Sequence, residues 1–250
     1  MFELLEPIRA DRLKDVFIKR FEKLILSGEI QIGRKLPSER DLAARLGVSR
    51  PVVHEGLIEL ASKGLVTMRP RAGAVVNDYR RDGSLPLISS LLEYGEGRLD
   101  RRIVEGMIQI RSLLETPLAR EAARNRTDKQ LRELRSIVER ERSTAHARKD
   151  LIVALDFEFH LLAALASGNV IFPLLINSFR QVYTNLTGQF FEYPGVINEV
   201  HHYHEQFFEA VADRDSDRAE RTMHDMLAHG EEMLTAMLDT RESSPAASAE

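Results

Sequence analysis

The chain has 250 residues, 43% of them hydrophobic, and no cysteine, which is enough apolar content for packed cores and excludes disulfide frameworks and thiolate metal sites. No signal-type leader and no apolar run of about 20 residues is present, so neither secretion nor membrane insertion is expected, and a cytoplasmic protein is. The net charge of −4 hides an asymmetry: residues 1–81 hold 16 Lys and Arg against 11 Asp and Glu, and the remainder holds 19 against 28, which makes the N-terminal end the expected polyanion contact.

Residues 1–10 carry no usable pattern beyond Pro7, which discourages an early helix. From Asp11 to Leu26 an amphipathic helix is predicted, with Leu13, Val16, Phe17, Phe21, Leu24 and Ile25 at steps of three and four, ended by Ser27 and Gly28. The stretch Gly33 to Val76 then describes two short helices, a tight turn and a hairpin. Ser38 can cap the first helix, Gly47 can end it and Ser49 can cap the second. Leu42, Ala43 and Leu46 form one apolar face, and Val53, Leu57, Ile58 and Leu60 the other. Arg50, Pro51, Val52 and His54 remain at the exposed start of the second helix, where a helix in the major groove reads base edges. Leu65 to Val76 has β-branched residues around a Pro70 to Gly73 turn, a short two-stranded wing that carries Arg69 and Arg71.

Polar residues interrupt the periodicity from Asn77 to Pro86, which places a domain boundary near residue 80. The predicted division is a winged helix-turn-helix domain over 1–80, an all-helical effector-binding and dimerisation domain over 81–242, and a flexible tail over 243–250. Segments 86–95, 99–125, 128–147, 150–167, 170–191, 195–213 and 215–238 all step by three and four, and Thr127 with Gln130 makes a capping box. No strand alternation follows the wing. The fold class expected is mainly α, with the small hairpin in the N-terminal domain and an antiparallel helical bundle in the C-terminal one.

Two polar features of the bundle carry chemistry. Asp156 and His160, four residues apart on a predicted helix, share one face and can hold one metal ion between them. The plain alternative is a helix-surface pair, with His201, His202 and His204 facing solvent. Arg111 sits among Ile108, Ile110 and Leu114, where a guanidinium turned inward needs a carboxylate or phosphate partner, from a ligand or from an internal Glu or Asp. Asn177 and Tyr183, polar amid apolar neighbours after Pro173, are further candidates by the same reasoning.

The segments LPSER (Leu36 to Arg40), LAARLGVSR (Leu42 to Arg50), EGLIELASKGLV (Glu55 to Val66) and Arg71-Ala72-Gly73 closely resemble the GntR family of bacterial winged-helix transcription regulators. The resemblance implies contacts to double-stranded operator DNA by Arg40, Ser49, Arg50 and position 54, with the wing tip, Arg69, Arg71 and Gly73, on the minor groove or backbone. His54 departs from the Arg usual there and offers fewer donors and a partial charge. The segments Ile103 to Asp128, Leu155 to Asn169 and His204 to Asp215 resemble the helical effector domain of the FadR branch. That likeness implies a homodimer, a repressor in the usual case, and a metal set of Asp156, His160 and His204. A further His is expected where this chain has Met226, a poor ligand for hard or borderline ions, and His224 or His229 could substitute. Zinc, nickel or manganese would each suit such a set. Arg111, Asn177 and Tyr183 would then bind a small carboxylate effector. The stretch from Ser167 through Phe191 also resembles the fatty-acid regulator of the branch, which implies acyl-coenzyme A instead. An enzyme reading, with Asp156, His160 and His204 as a metal-hydrolase centre, finds no supporting catalytic motif and leaves the DNA reader unexplained.

Overall fold

A computed structural model describes residues 11–69, 73–94, 101–144 and 148–243. The chain divides into two compact units, Met1–Arg98 and Leu99–Glu250.

In the first unit, α1 (Asp11–Leu26), α2 (Glu39–Leu46) and α3 (Arg50–Ser62) precede a hairpin of β1 (Val66–Arg69) and β2 (Gly73–Val76), followed by α4 (Tyr79–Asp82) and α5 (Leu87–Tyr94). The strands pair antiparallel, Val66 opposite Val76 and Arg69 opposite Gly73. The free edge of β2 is covered by the segment before α2, where the Leu36 amide donates to the Ala74 carbonyl and the Val76 amide to the Arg34 carbonyl. Ser38 caps α2 as predicted, its hydroxyl accepting from the Asp41 amide, and Gly47 ends that helix in the left-handed region. Ser49 occupies the cap position of α3 without a side-chain capping bond. Pro51, at the second helical position, removes one of the two amides such a hydroxyl can accept from.

The core of this unit joins Phe17, Phe21 and Ile25 to Leu42, Val53, Leu57, Leu60 and the hairpin. Leu13, Val16 and Ile58, expected inside, are largely exposed, while Ile18 is buried. The packing stripe of α1 therefore lies slightly round the helix from the predicted one. Gly56 lets α3 close on α1, since a Cβ there would come within 2.3 Å of the Phe17 ring. The boundary predicted near residue 80 falls inside this unit. Leu87 of α5 joins the core, and Lys63 Nζ donates both to Glu22 Oε1 (2.7 Å) and to Ser90 Oγ (3.0 Å), tying α1 and α5 to the end of α3.

The second unit contains α6 (Arg101–Asn125), α7 (Asp128–Ser143), α8 (Lys149–Ala166), α9 (Phe172–Ser178), α10 (Arg180–Phe190), α11 (Val196–Ala212) and α12 (Ser216–Ser243). Helix α8 is the buried centre, with Leu155, Asp156, Phe157, Phe159 and His160 all inside and α6, α7, α9 and α10 packed around it. The predicted capping box at Thr127 and Gln130 is formed in both directions. The segment predicted as one helix over 170–191 is two, parted at Phe179, where Ser178 Oγ bonds the Leu174 carbonyl and competes with the helical ladder. Helix α12 runs to Ser243, past the predicted end; residues 244–250 of the predicted tail, like Pro7, lie outside the described residues. Among the described residues no helix is long and apolar enough to cross a membrane.

Candidate functional sites

The N-terminal unit presents a cationic groove where the start of α2, the start of α3 and the hairpin meet. Arg40, Arg50, Arg69 and Gly73 line it together with Pro37 and Met68. The Arg40 and Arg50 side chains are 88% and 71% exposed, as a phosphate- or base-seeking pair must be. Ser49, Pro51 and His54 are also exposed and Val52 is half-buried; Arg71 lies outside the described residues. Gly73 opens β2 at φ +85°, a conformation that suits glycine at a hairpin tip. The sequence reading overlooked Glu39. Its carboxylate accepts from Arg50 Nε (3.2 Å) and lies 2.7 Å from His54 Nδ1. The hydrogen bond from His54, joined by Arg50 against a modest burial cost, holds the Glu39 carboxyl below its ordinary range.

Inside the helical unit, Asp156, His160 and His204 converge, one ligand-type atom from each lying within 4.8 Å of the others. All three are buried. His204 Nε2 is 3.8 Å from Asp156 Oδ1 and has no hydrogen-bond partner. Its Nδ1 lies 2.9 Å from both oxygens of Glu141, on α7, and Phe159 stacks on its ring at 3.5 Å between centroids. His160 Nδ1 lies 2.5 Å from Glu115 Oε2, on α6, a charge contact rather than a well-aligned hydrogen bond. Each imidazole thus has its Nδ1 against a carboxylate; Nε2 of His204 is left unpartnered near Asp156, the arrangement that orients a metal-ligating histidine, whereas Nε2 of His160 lies 3.3 Å from Arg111 Nη2. Glu141 was absent from the sequence reading because a partner sixty-three residues away leaves no local spacing to find, whereas Glu115, one helical turn from Arg111, was legible as its i,i+4 partner and was not singled out.

Arg111 supplies the other charge. Its Nε donates to Glu115 Oε1 (2.7 Å), and its Nη2 lies 3.3 Å from His160 Nε2 and 3.4 Å from the Tyr183 hydroxyl. The internal acidic partner considered from sequence is therefore present, and Tyr183 in turn donates to Asp156 Oδ2 (2.5 Å). Burial alone would raise the Glu115 carboxyl, but Arg111 and His160 outweigh it and hold it at about 2. Burial pushes the Tyr183 hydroxyl well above its ordinary value, so it stays a donor. Glu115 pairs with Arg111 and Glu141 with His204, while Asp156 lies within reach of both histidines and accepts from Tyr183.

A cavity of about 660 Å³, its open mouth included, runs from Arg111, Asp156, His160 and Tyr183 to α11 and α12. Met226 lines it, at the place where a further His was expected. His224 is exposed beside Asp225, and His229 lies 2.6 Å from Glu199, so neither replaces it. Asn177 does not reach this cavity: it is exposed on α9 and accepts from Arg180 Nη2 (3.2 Å), because the break at Phe179 separates its helix from that of Tyr183.

The family described as "Bacterial regulatory proteins, gntR family" matches residues 15–76, and the FCD domain matches residues 106–229. The HTH-type transcriptional regulator Mce2R of Mycobacterium tuberculosis is 34% identical over 72% of this chain and 73% of its own length. A fatty acid metabolism regulator protein of an Enterobacter species is 30% identical over 65% of each chain. The solved structure of Lar, which controls the expression of the Listeria monocytogenes agr system, shares the fold at a TM-score of 0.64 and 16% identity, covering 93% of this chain and 98% of that one.

Proposed function

Since the chain belongs to the GntR family of bacterial regulatory proteins, with an FCD domain following its DNA-reading unit, we propose that this transcription regulator is a cytoplasmic repressor released by a small organic acid bound inside the helical unit. Two chains pair and present two readers to a pseudo-palindromic operator. Arg50, Pro51, Val52 and His54 enter the major groove, Arg40 and Ser49 hold phosphate or base, and Arg69, Arg71 and Gly73 bring the wing to the neighbouring backbone or minor groove. The exposure of Arg40 and Arg50 on one groove supports this assignment.

Asp156, His160 and His204 hold a divalent ion, zinc, nickel or manganese, and that ion supplies a positive centre for the effector's carboxylate. The observation that supports this reading is the convergence of Asp156, His160 and His204, with Glu141 against Nδ1 of His204 and the unpartnered Nε2 of His204 3.8 Å from Asp156 Oδ1. Arg111, anchored on Glu115 through Nε, offers its outer N–H groups to the effector, and Tyr183 orients Asp156. No catalytic step is assigned to these residues. Acyl-coenzyme A is the less suited ligand: Arg111 is the cation among the cavity's lining residues, and Glu115 already pairs with it, whereas a nucleotide's phosphates need several.

The test is metal analysis of the full chain prepared without a nickel column, together with binding to the DNA upstream of its own gene in the presence and absence of organic acids. Stoichiometric metal and release of operator by an acid are expected. A metal-free, folded and acid-responsive protein would overturn the metal assignment, and operator binding that no acid alters would overturn the sensor.

A further inference from the structure

The walls of the same cavity say more about the ligand than its polar end does. On α6, Arg111 faces the cavity, and one turn earlier Met107 and Ile108 do. On α10, Tyr183 gives way one turn later to Leu186 and two turns later to Phe190. The rise of about 1.5 Å per residue makes the distance from Tyr183 to Phe190 about 10 Å. Across from these, α11 contributes Val200 and α12 contributes Met226, Leu227 and Leu234. The cavity is therefore polar at one end and mostly hydrocarbon-lined along the rest of its length, with Thr187 and the exposed Glu231 as its further polar lining residues.

Its charges are as one-sided as its walls. Arg111 lies at the polar end, already paired with Glu115, and the remaining charged lining residues are Asp156 and the exposed Glu231. A second carboxylate carried away from the Arg111 and metal end would face Glu231 with no cation, while sugar hydroxyls lying against Leu186, Phe190, Val200 and Leu234 would lose water with Thr187 as their neighbouring side-chain hydroxyl. The whole space, mouth included, is about 660 Å³, which suits a compact small molecule.

Resting on the sensor reading above, we infer that the effector is a monocarboxylic acid with a compact apolar body, aliphatic or aromatic, its carboxylate at the Arg111, Asp156 and His160 end and its hydrocarbon toward Phe190 and Leu234. Hydroxylated sugar acids, di- and tricarboxylates and acyl-coenzyme A are then poor ligands.

Calorimetric titration of the full chain, supplied with zinc chloride, against hexanoate, phenylacetate, gluconate, citrate, octanoyl-coenzyme A and hexan-1-ol tests this. The expected result is that hexanoate or phenylacetate binds at least tenfold tighter than gluconate, citrate, octanoyl-coenzyme A or the alcohol. The variant Val200→Thr, which keeps shape but places a hydroxyl on the wall, is expected to weaken the preferred acid about tenfold while leaving zinc binding unchanged and lowering the thermal transition by a few degrees at most. Tighter binding of gluconate, citrate or octanoyl-coenzyme A would overturn the apolar monocarboxylate and leave a ligand sensor standing. Equal binding of hexanol would remove the carboxylate anchor. Heat from none of the acids would overturn both this inference and the sensor reading.

Discussion

Glu141 touches neither DNA nor the cavity, yet it fixes which nitrogen of His204 faces Asp156. Replacing it by Gln keeps the shape and weakens the hold on that tautomer, so Glu141→Gln is expected to lower zinc affinity about 10- to 100-fold with the fold retained, read by competition with a chromogenic chelator. At the reader, Arg50→Ala is expected to cost about 1–3 kcal/mol of specific operator binding, while Arg40→Ala weakens all sequences alike and lowers the salt slope by about 1; filter binding at several salt concentrations separates the two. Glu39 links Arg50 to His54, and its carboxyl is held below its ordinary value, chiefly by the His54 hydrogen bond. A depressed carboxyl contributes its interaction above the unfolded value and loses it as pH falls through the lowered one. The variant His54→Ala should therefore move the Glu39 titration upward in a carbon-detected NMR series, and an unmoved midpoint would remove that link.

Among the elements, α3 depends on Gly56 for its approach to α1. A methyl group there meets the Phe17 ring, which itself stacks on Phe21 at 4.5 Å and has little freedom to retreat. Gly56→Ala is expected to destabilise the N-terminal unit by about 1–3 kcal/mol despite the gain in helix propensity, seen as a lower first transition on thermal unfolding. Helix α7 starts from a complete capping box, and its far end carries Glu141. The elements that hold the polar cluster are thus long helices whose register is fixed by buried faces, with most of α8 inside the unit. Precision of that kind favours a site built from helices over one built from loops.

For the whole molecule, regulation requires that effector binding favour one arrangement of the two readers over another, and the coupling is reciprocal: operator DNA must change effector affinity by the same factor. Arg111→Ala is expected to leave operator affinity intact and to shift the acid's dose curve to higher concentration, measured by DNA binding during an acid titration. On the proposed metal assignment, chelation should have the same consequence, since it would remove a positive centre from beside Asp156, His160 and His204.

Local sequence was enough to establish the reader. Ser38, Gly47 and the apolar steps of α2 and α3 are signals within one or two turns, and the helix from Asp11 to Leu26 has the predicted ends. Asp156 and His160 were legible for the same reason, being one turn apart on a helix. His204 was placed by family likeness. What the chain could not disclose locally was everything made by distant segments meeting: Glu115 and Glu141 behind the imidazoles, Tyr183 on Asp156, Glu39 between Arg50 and His54, and the departure of Asn177 from the cavity. The stretch near residue 80 reads as a linker because it is polar, yet Leu87 and the Lys63, Glu22 and Ser90 cluster hold the next helix to the first unit. Periodicity reports which face of a helix is apolar; only packing decides what that face meets, and so where a domain ends and which polar groups share a site.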